Sequence, residues 1–103
     1  MFKLCFFVPD SHLETVKTAL FQAGAGRIGH YDQCCWQVLG HGQFRPLPGS
    51  DPHIGNTGAL ERLEEWKVEL VVEAHRIQAA VAALKATHPY ETPAYEVYRL
   101  EAF

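Results

Sequence analysis

The chain is 103 residues long, 48% hydrophobic and 20% charged, with a net charge of −3. That length sets one domain able to bury a core without disulfides or metal, and the mixed composition excludes general disorder. Nine Lys and Arg are spread singly among twelve acids, which argues against a nucleic-acid surface, and no apolar run reaches the ~20 residues of a membrane span.

The opening Met1 to Pro9 is too short and has the wrong flank for a secretory signal, so the cytoplasm is the expected compartment. Three cysteines, with Cys34 and Cys35 adjacent, make no disulfide framework and are expected as reduced, buried thiols.

Residues 2–8 alternate, with Phe2, Leu4, Phe6 and Val8 on one face and Lys3, Cys5 and Phe7 on the other, which predicts a strand. Ser11 and Glu14 have capping-box spacing, and Leu13, Val16, Leu20 and Ala23 form one stripe, so residues 11–23 are expected to be helical. Gly24 is the expected stop. Residues 33–44 alternate again, with Cys34, Trp36 and Val38 opposite Cys35, Gln37 and Leu39. Residues 45–59 are the stretch richest in Gly and Pro and are expected to form an ordered, functional loop of a long hairpin. Residues 60–72 predict a third strand, in which Glu61, Glu64, Glu65 and Glu69 are expected at a solvated edge. Ile77, Val81 and Leu84 mark a second helix, and Tyr95 to Leu100 a fourth strand.

The chain also repeats itself. A shift that lays Phe2 on Trp66 lays Leu13, Ala19 and Leu20 on Ile77, Ala83 and Leu84, and Gly24–Tyr31 on His88–Tyr95. Two strand–helix–strand units give an α+β, ferredoxin-like βαββαβ sandwich as one domain over residues 1–103, with two helices on one face of a four-stranded antiparallel sheet. Cys5, Phe7 and Val71 on the other face favour a covering partner.

Chemistry concentrates in the corners and the long loop. The topology puts the two corners at opposite ends of a protomer, ~20 Å apart, so they share a site only between subunits. Gly24-Ala-Gly-Arg-Ile-Gly follows a helix instead of opening one, so it is not a dinucleotide fingerprint. Arg27 beside free backbone N–H groups could still hold an anion. His88-Pro-Tyr-Glu-Thr-Pro reads first as a structural helix stop. The candidate ligand residues are Arg27, His30 and Tyr31 on the first corner, Arg45, Ser50 and His53 on the loop, and Tyr90 and Glu91 on the second corner. His30, His88 and Glu91 are the candidate ligands for a divalent metal ion, without a diagnostic spacing. No nucleophile–base or carboxylate pair appears, so no catalytic residue is assigned.

The segments Phe7-Val-Pro, Ala23 to Tyr31, Gly42 to Gly55 and Ala86 to Tyr98 together resemble the insert domain of longer members of the Nif-three-like, dinuclear-metal family, here standing alone. That insert is similar in fold to CutA and PII proteins, which implies a ferredoxin-like domain and a homo-oligomer, a trimer above all, with loops meeting at subunit clefts. The parent family's two-metal site belongs to flanking domains, so its ligands map onto no residue here. The resemblance and the residues together lead to a non-enzymatic regulatory module that binds a small anionic ligand or a metal ion and presents a surface to a protein partner. The alternatives are an accessory subunit of a separate metal hydrolase and a purely structural oligomerisation domain.

Overall fold

β1 (Phe2–Val8) lies inside the sheet, and both of its faces leave water: Leu4, Phe6 and Val8 are fully buried on one, and Cys5 is 2% exposed on the other. The computed structural model describes residues 1–103 and pairs β1 antiparallel with both β3 (Glu61–Val72) and β4 (Tyr95–Arg99). β2 (Trp36–Phe44) lies outside β3, giving the order β2-β3-β1-β4. With α1 (Leu13–Gln22) and α2 (Ile77–Thr87) in the two crossovers, this is the expected ferredoxin-like sandwich.

The core fills the space between the helices and one sheet face. Leu13, Val16 and Leu20 of α1 and Ala80 and Leu84 of α2 meet Leu4, Phe6 and Val8 of β1 and Val68, Leu70 and Val72 of β3. Truncating one of these leucines to alanine costs ~2–5 kcal/mol through lost burial and the cavity left behind.

Three boundaries differ from the expectation. Each helix is preceded by a 3-10 turn, Asp10–His12 or Ala74–Arg76, entered from an extended residue, Pro9 or Glu73, so the internal repeat copies even the helix entry. Ser11 therefore sits inside a turn closed by His12 N–H to Pro9 O (3.0 Å), and His12 takes the N-cap place. The Ser11–Glu14 capping box does not form; the Ser11 hydroxyl bonds His12 Nδ1 at 2.8 Å instead. β2 begins only at Trp36, because Gln33 has φ +54° and Cys34 N–H turns back to Gly26 O at 2.8 Å. Cys34 and Cys35 thus precede the strand and are half-buried free thiols, whereas Cys5 is the buried one.

The helix stop at Gly24 forms as expected. Gly24 takes φ +96°, with Gly24 N–H to Phe21 O and Ala25 N–H to Leu20 O both at 3.0 Å, the two bonds of a Schellman motif.

The β2–β3 hairpin outruns the rest of the sheet. Pairing of β3 with β1 ends at Val8↔Trp66, while pairing with β2 continues to Phe44↔Glu61, and the molecule measures 46 × 25 × 24 Å. The sheet face away from the helices is open; Trp36 (61% exposed) and Val38 lie on it with the partly buried Phe7 and Val71.

Candidate functional site

Pro89 restricts the residue before it, so His88 leaves α2 with φ −70° and ψ 136° and the chain turns off the helix. The segment that follows is tied to β1 through both backbone groups of one residue. Phe7 N–H donates to Ala94 O (3.3 Å), and the His88 ring donates from Nε2 to Phe7 O (2.6 Å). His88 Nδ1 then accepts Tyr90 N–H at 3.1 Å, which assigns the Nε2–H tautomer. His88 is 7% exposed, and burial holds its pKa below the ordinary value, with the nearby His12 and His53 adding to the fall against the Phe7 carbonyl bond.

The connection 45–60 folds back onto this segment. Ser50 N–H and Oγ both reach Leu47 O, at 3.1 and 2.7 Å, and Gly58 N–H reaches Pro46 O at 2.8 Å, so the loop is ordered by its own backbone. It is joined to the second corner where Asp51 N–H donates to Glu91 Oε2 at 3.0 Å. Aromatic rings complete the join. His53 stands edge-on to His12 at 5.8 Å and tilted to Tyr90 at 6.1 Å, and Tyr90 lies 6.3 Å from Phe44.

Between the loop, the hairpin arm and the second corner is a cavity of about 500 Å³, a volume ordinary for a small-molecule site. Phe7, Phe44 and Ile54 supply apolar wall, and Arg45, Ser50, His53, Glu65, Tyr90 and Glu91 supply polar groups. The Tyr90 hydroxyl is buried without a hydrogen-bond partner. Burial, then the neighbouring Glu65 carboxylate, pushes its pKa up to about 12, so it is a neutral phenol. Burial also raises the Glu65 carboxyl above its ordinary value.

Five of the eight expected ligand residues therefore come together within one chain: Arg45, Ser50, His53, Tyr90 and Glu91. Arg27, His30 and Tyr31 do not join them. Their corner closes on itself through paired Ile28 and Tyr31 backbone bonds of 2.9 Å and is docked by Gly26 N–H to Val71 O (2.8 Å). Val71 pairs with Lys3, at the other end of β1 from Phe7, as the topology argument requires.

The expected metal set fails on geometry within the chain. His30 lies on the far corner, both ring nitrogens of His88 are already bonded, and nowhere do three His, Cys, Asp or Glu side chains converge in a way that could hold an ion. No helix is long and apolar enough to cross a membrane.

Glu65 is the pocket residue that the sequence pattern misplaces, since four nearby glutamates read as a solvated edge. The missing signal lies in the β2–β3 register. Glu65 pairs across the ladder with Gly40, and a Cβ on the neighbouring Gly42 would overlap the Glu65 carboxylate. A side-chain-free strand surface opposite a glutamate is room into which that carboxylate folds.

No family model matches the chain. It is 45% identical over 98 residues to a Mycobacterium leprae protein named GTP cyclohydrolase 1 type 2 homolog, which covers 95% of this chain and 26% of that protein. A Bacillus cereus protein related to NIF3 superposes with a TM-score of 0.84 and 40% identity, over 98% of this chain and 26% of that one. The PII-like protein CutA from Nostoc superposes with a TM-score of 0.70 at 15% identity, over 98% of this chain and 82% of that one, a likeness of fold. The chain thus spans about a quarter of the length of the curated relatives it matches.

Proposed function

Because the chain is a CutA/PII-like domain homologous to a segment of NIF3-related proteins, we propose that it is a non-enzymatic, oligomeric module that binds a small ligand and reports it to a partner. The ligand occupies the cavity between loop 45–60 and the second corner, held by Arg45, Ser50, His53, Tyr90 and Glu91. The observation that carries this reading is Tyr90, which lines the cavity and whose buried hydroxyl has no hydrogen-bond partner in the chain. A buried polar group left unpaired costs about 1–3 kcal/mol, which a ligand that bonds it returns.

The mechanism follows from how the loop is held. A single exposed backbone bond, Asp51 to Glu91, and loose ring contacts join loop 45–60 to the body. A ligand touching both sides of the cavity strengthens that join, fixes the loop and changes the surface a partner protein meets.

Oligomerisation uses the open sheet face, where Trp36 and Val38 are exposed beside the partly buried Phe7 and Val71. Exposed apolar side chains on an open sheet face favour an interaction surface, here interleaved with Lys3, Lys67 and Glu69, and three copies closing around it is the arrangement proposed. Arg27, His30 and Tyr31 lie at the opposite end of the sheet and take no part in lining this cavity.

The test pairs light scattering with thermal denaturation of the full chain against a panel of small metabolites. A trimer, and a ligand whose stabilisation disappears in Tyr90→Phe, support the reading. A monomer removes the oligomeric part, and ligand stabilisation that survives Tyr90→Phe removes the cavity.

A further inference from the structure

The charges lining the cavity do not suit an anion. With Arg27 and His30 at the far end of the sheet, the wall carries two carboxylates, Glu65 and Glu91, against one permanent cation, Arg45. Glu91 is occupied by the Asp51 amide, whereas Glu65 takes part in no salt bridge or side-chain hydrogen bond of the chain. Glu65 lies folded across β2 over Gly42, where any larger residue would displace it, and it faces the Tyr90 phenol. A partly desolvated carboxylate without a counter-charge is costly, and the cost is relieved by a cation that brings its own N–H donors. Phe44, Tyr90 and His53 line the same cavity, Tyr90 lying 6.3 Å from Phe44 and 6.1 Å from His53, and aromatic rings attract a cation through their ring electrons.

We infer that the ligand is a small organic cation, an alkyl- or arylalkylamine or a guanidine, whose charged nitrogen donates to Glu65 and to the Tyr90 oxygen while its apolar body lies against Phe7 and Phe44. This rests on the cavity being a ligand site, and it replaces the anionic ligand expected from the sequence with one of opposite sign. Arg27 and His30 were expected to join the second corner only between subunits, and Glu65 was expected at a solvated edge; within one chain the cavity holds Glu65 and neither of the other two.

The probes are phenethylamine and agmatine, set against phenylacetate and phenethyl alcohol as anionic and neutral counterparts, titrated into the full chain at pH 7 and followed by amide NMR. The expected result is saturable shifts at Phe44, Glu65 and Tyr90 with an amine or guanidine, and at least tenfold weaker binding in Glu65→Gln. Glu65→Gln is near-isosteric, and its own melting curve shows that it is folded. Phenylacetate or the alcohol binding these residues as tightly as the amines overturns the cationic assignment and leaves the cavity as a site. Failure of every probe to move them overturns the assignment and counts against the cavity as well.

Discussion

The backbone N–H of Tyr90 is held by the ring of His88, 3.1 Å from Nδ1, with the two rings 4.8 Å apart. His88 in turn hangs from the Phe7 carbonyl, so the phenol at the cavity is positioned by a chain of contacts that starts in the central strand. His88 is a positioning residue. His88→Ala leaves the Phe7 carbonyl and the Tyr90 amide without partners and is expected to destabilise the fold by about 1–3 kcal/mol. Chemical denaturation checks the loss, and His88→Gln, which can still donate to Phe7, is expected to recover part of it.

The same ring sets an acid limit. Its folded pKa lies below the ordinary 6.5, with burial the main cause. As pH falls below 6.5, the unfolded chain binds the proton that the folded ring resists, so stability decreases with acid until the lowered folded value is passed. Glu65 acts in the opposite sense. Its carboxyl is raised above 4.5 in the fold, so the folded state takes up that proton first and its penalty relaxes on acidification. Glu65→Gln is therefore expected to melt higher than the parent at pH 7 and to lose stability more steeply between 6.5 and 4.5. Melting temperatures across that range, with His88→Gln flattening the upper part, check both signs.

Glu91→Ala removes the carboxylate that accepts the Asp51 amide. This bond is exposed and distant from the core, so global stability is expected to change by less than ~1 kcal/mol. The local consequence is larger. Hydrogen exchange at Asp51 is expected to accelerate several-fold while the amides of β1 and β3 stay protected, because loop 45–60 opens without the body unfolding.

Gly26 sits at φ +76°, where a Cβ would come within 2.7 Å of Cys34 O. Its own amide and carbonyl tie Val71 to Cys34. Gly26→Ala is expected to cost ~1–3 kcal/mol, since the left-handed backbone and the close approach both resist a side chain. The damage falls at the end of the sheet opposite the cavity, so a ligand bound between Tyr90 and Glu65 should keep its affinity in whatever fraction remains folded.

Strands and helices were legible because their periodicity is strong: Leu4, Phe6 and Val8 alternate into the core, and Val16 and Leu20 share a helix face. The repeat between Phe2 and Trp66 carried the topology with it. Local ends were less legible. The Ser11–Glu14 spacing matches a capping box, yet Pro9 and the 3-10 turn it opens place His12 at the helix entry, a competition between turn and cap that spacing does not resolve. The cavity was half legible. Polar loops identify Arg45, His53, Tyr90 and Glu91, and the βαββαβ topology already put Arg27 and His30 at the opposite end of the protomer. Glu65 required knowing which β2 residues face it across the ladder. The odd cysteine count had no bearing on the site, for Cys5 packs within the sheet and Cys34 and Cys35 lie at the far corner.

An unbiased fragment titration read by amide NMR, run in parallel on the parent and on Tyr90→Phe, decides whether the cavity between loop 45–60 and the second corner is a ligand site. The strongest saturable shifts are expected to gather at Phe44, Ser50, His53 and Tyr90 and to weaken at least tenfold in the variant. Saturable shifts that gather elsewhere on the chain, or that persist unchanged in Tyr90→Phe, would contradict a ligand site there.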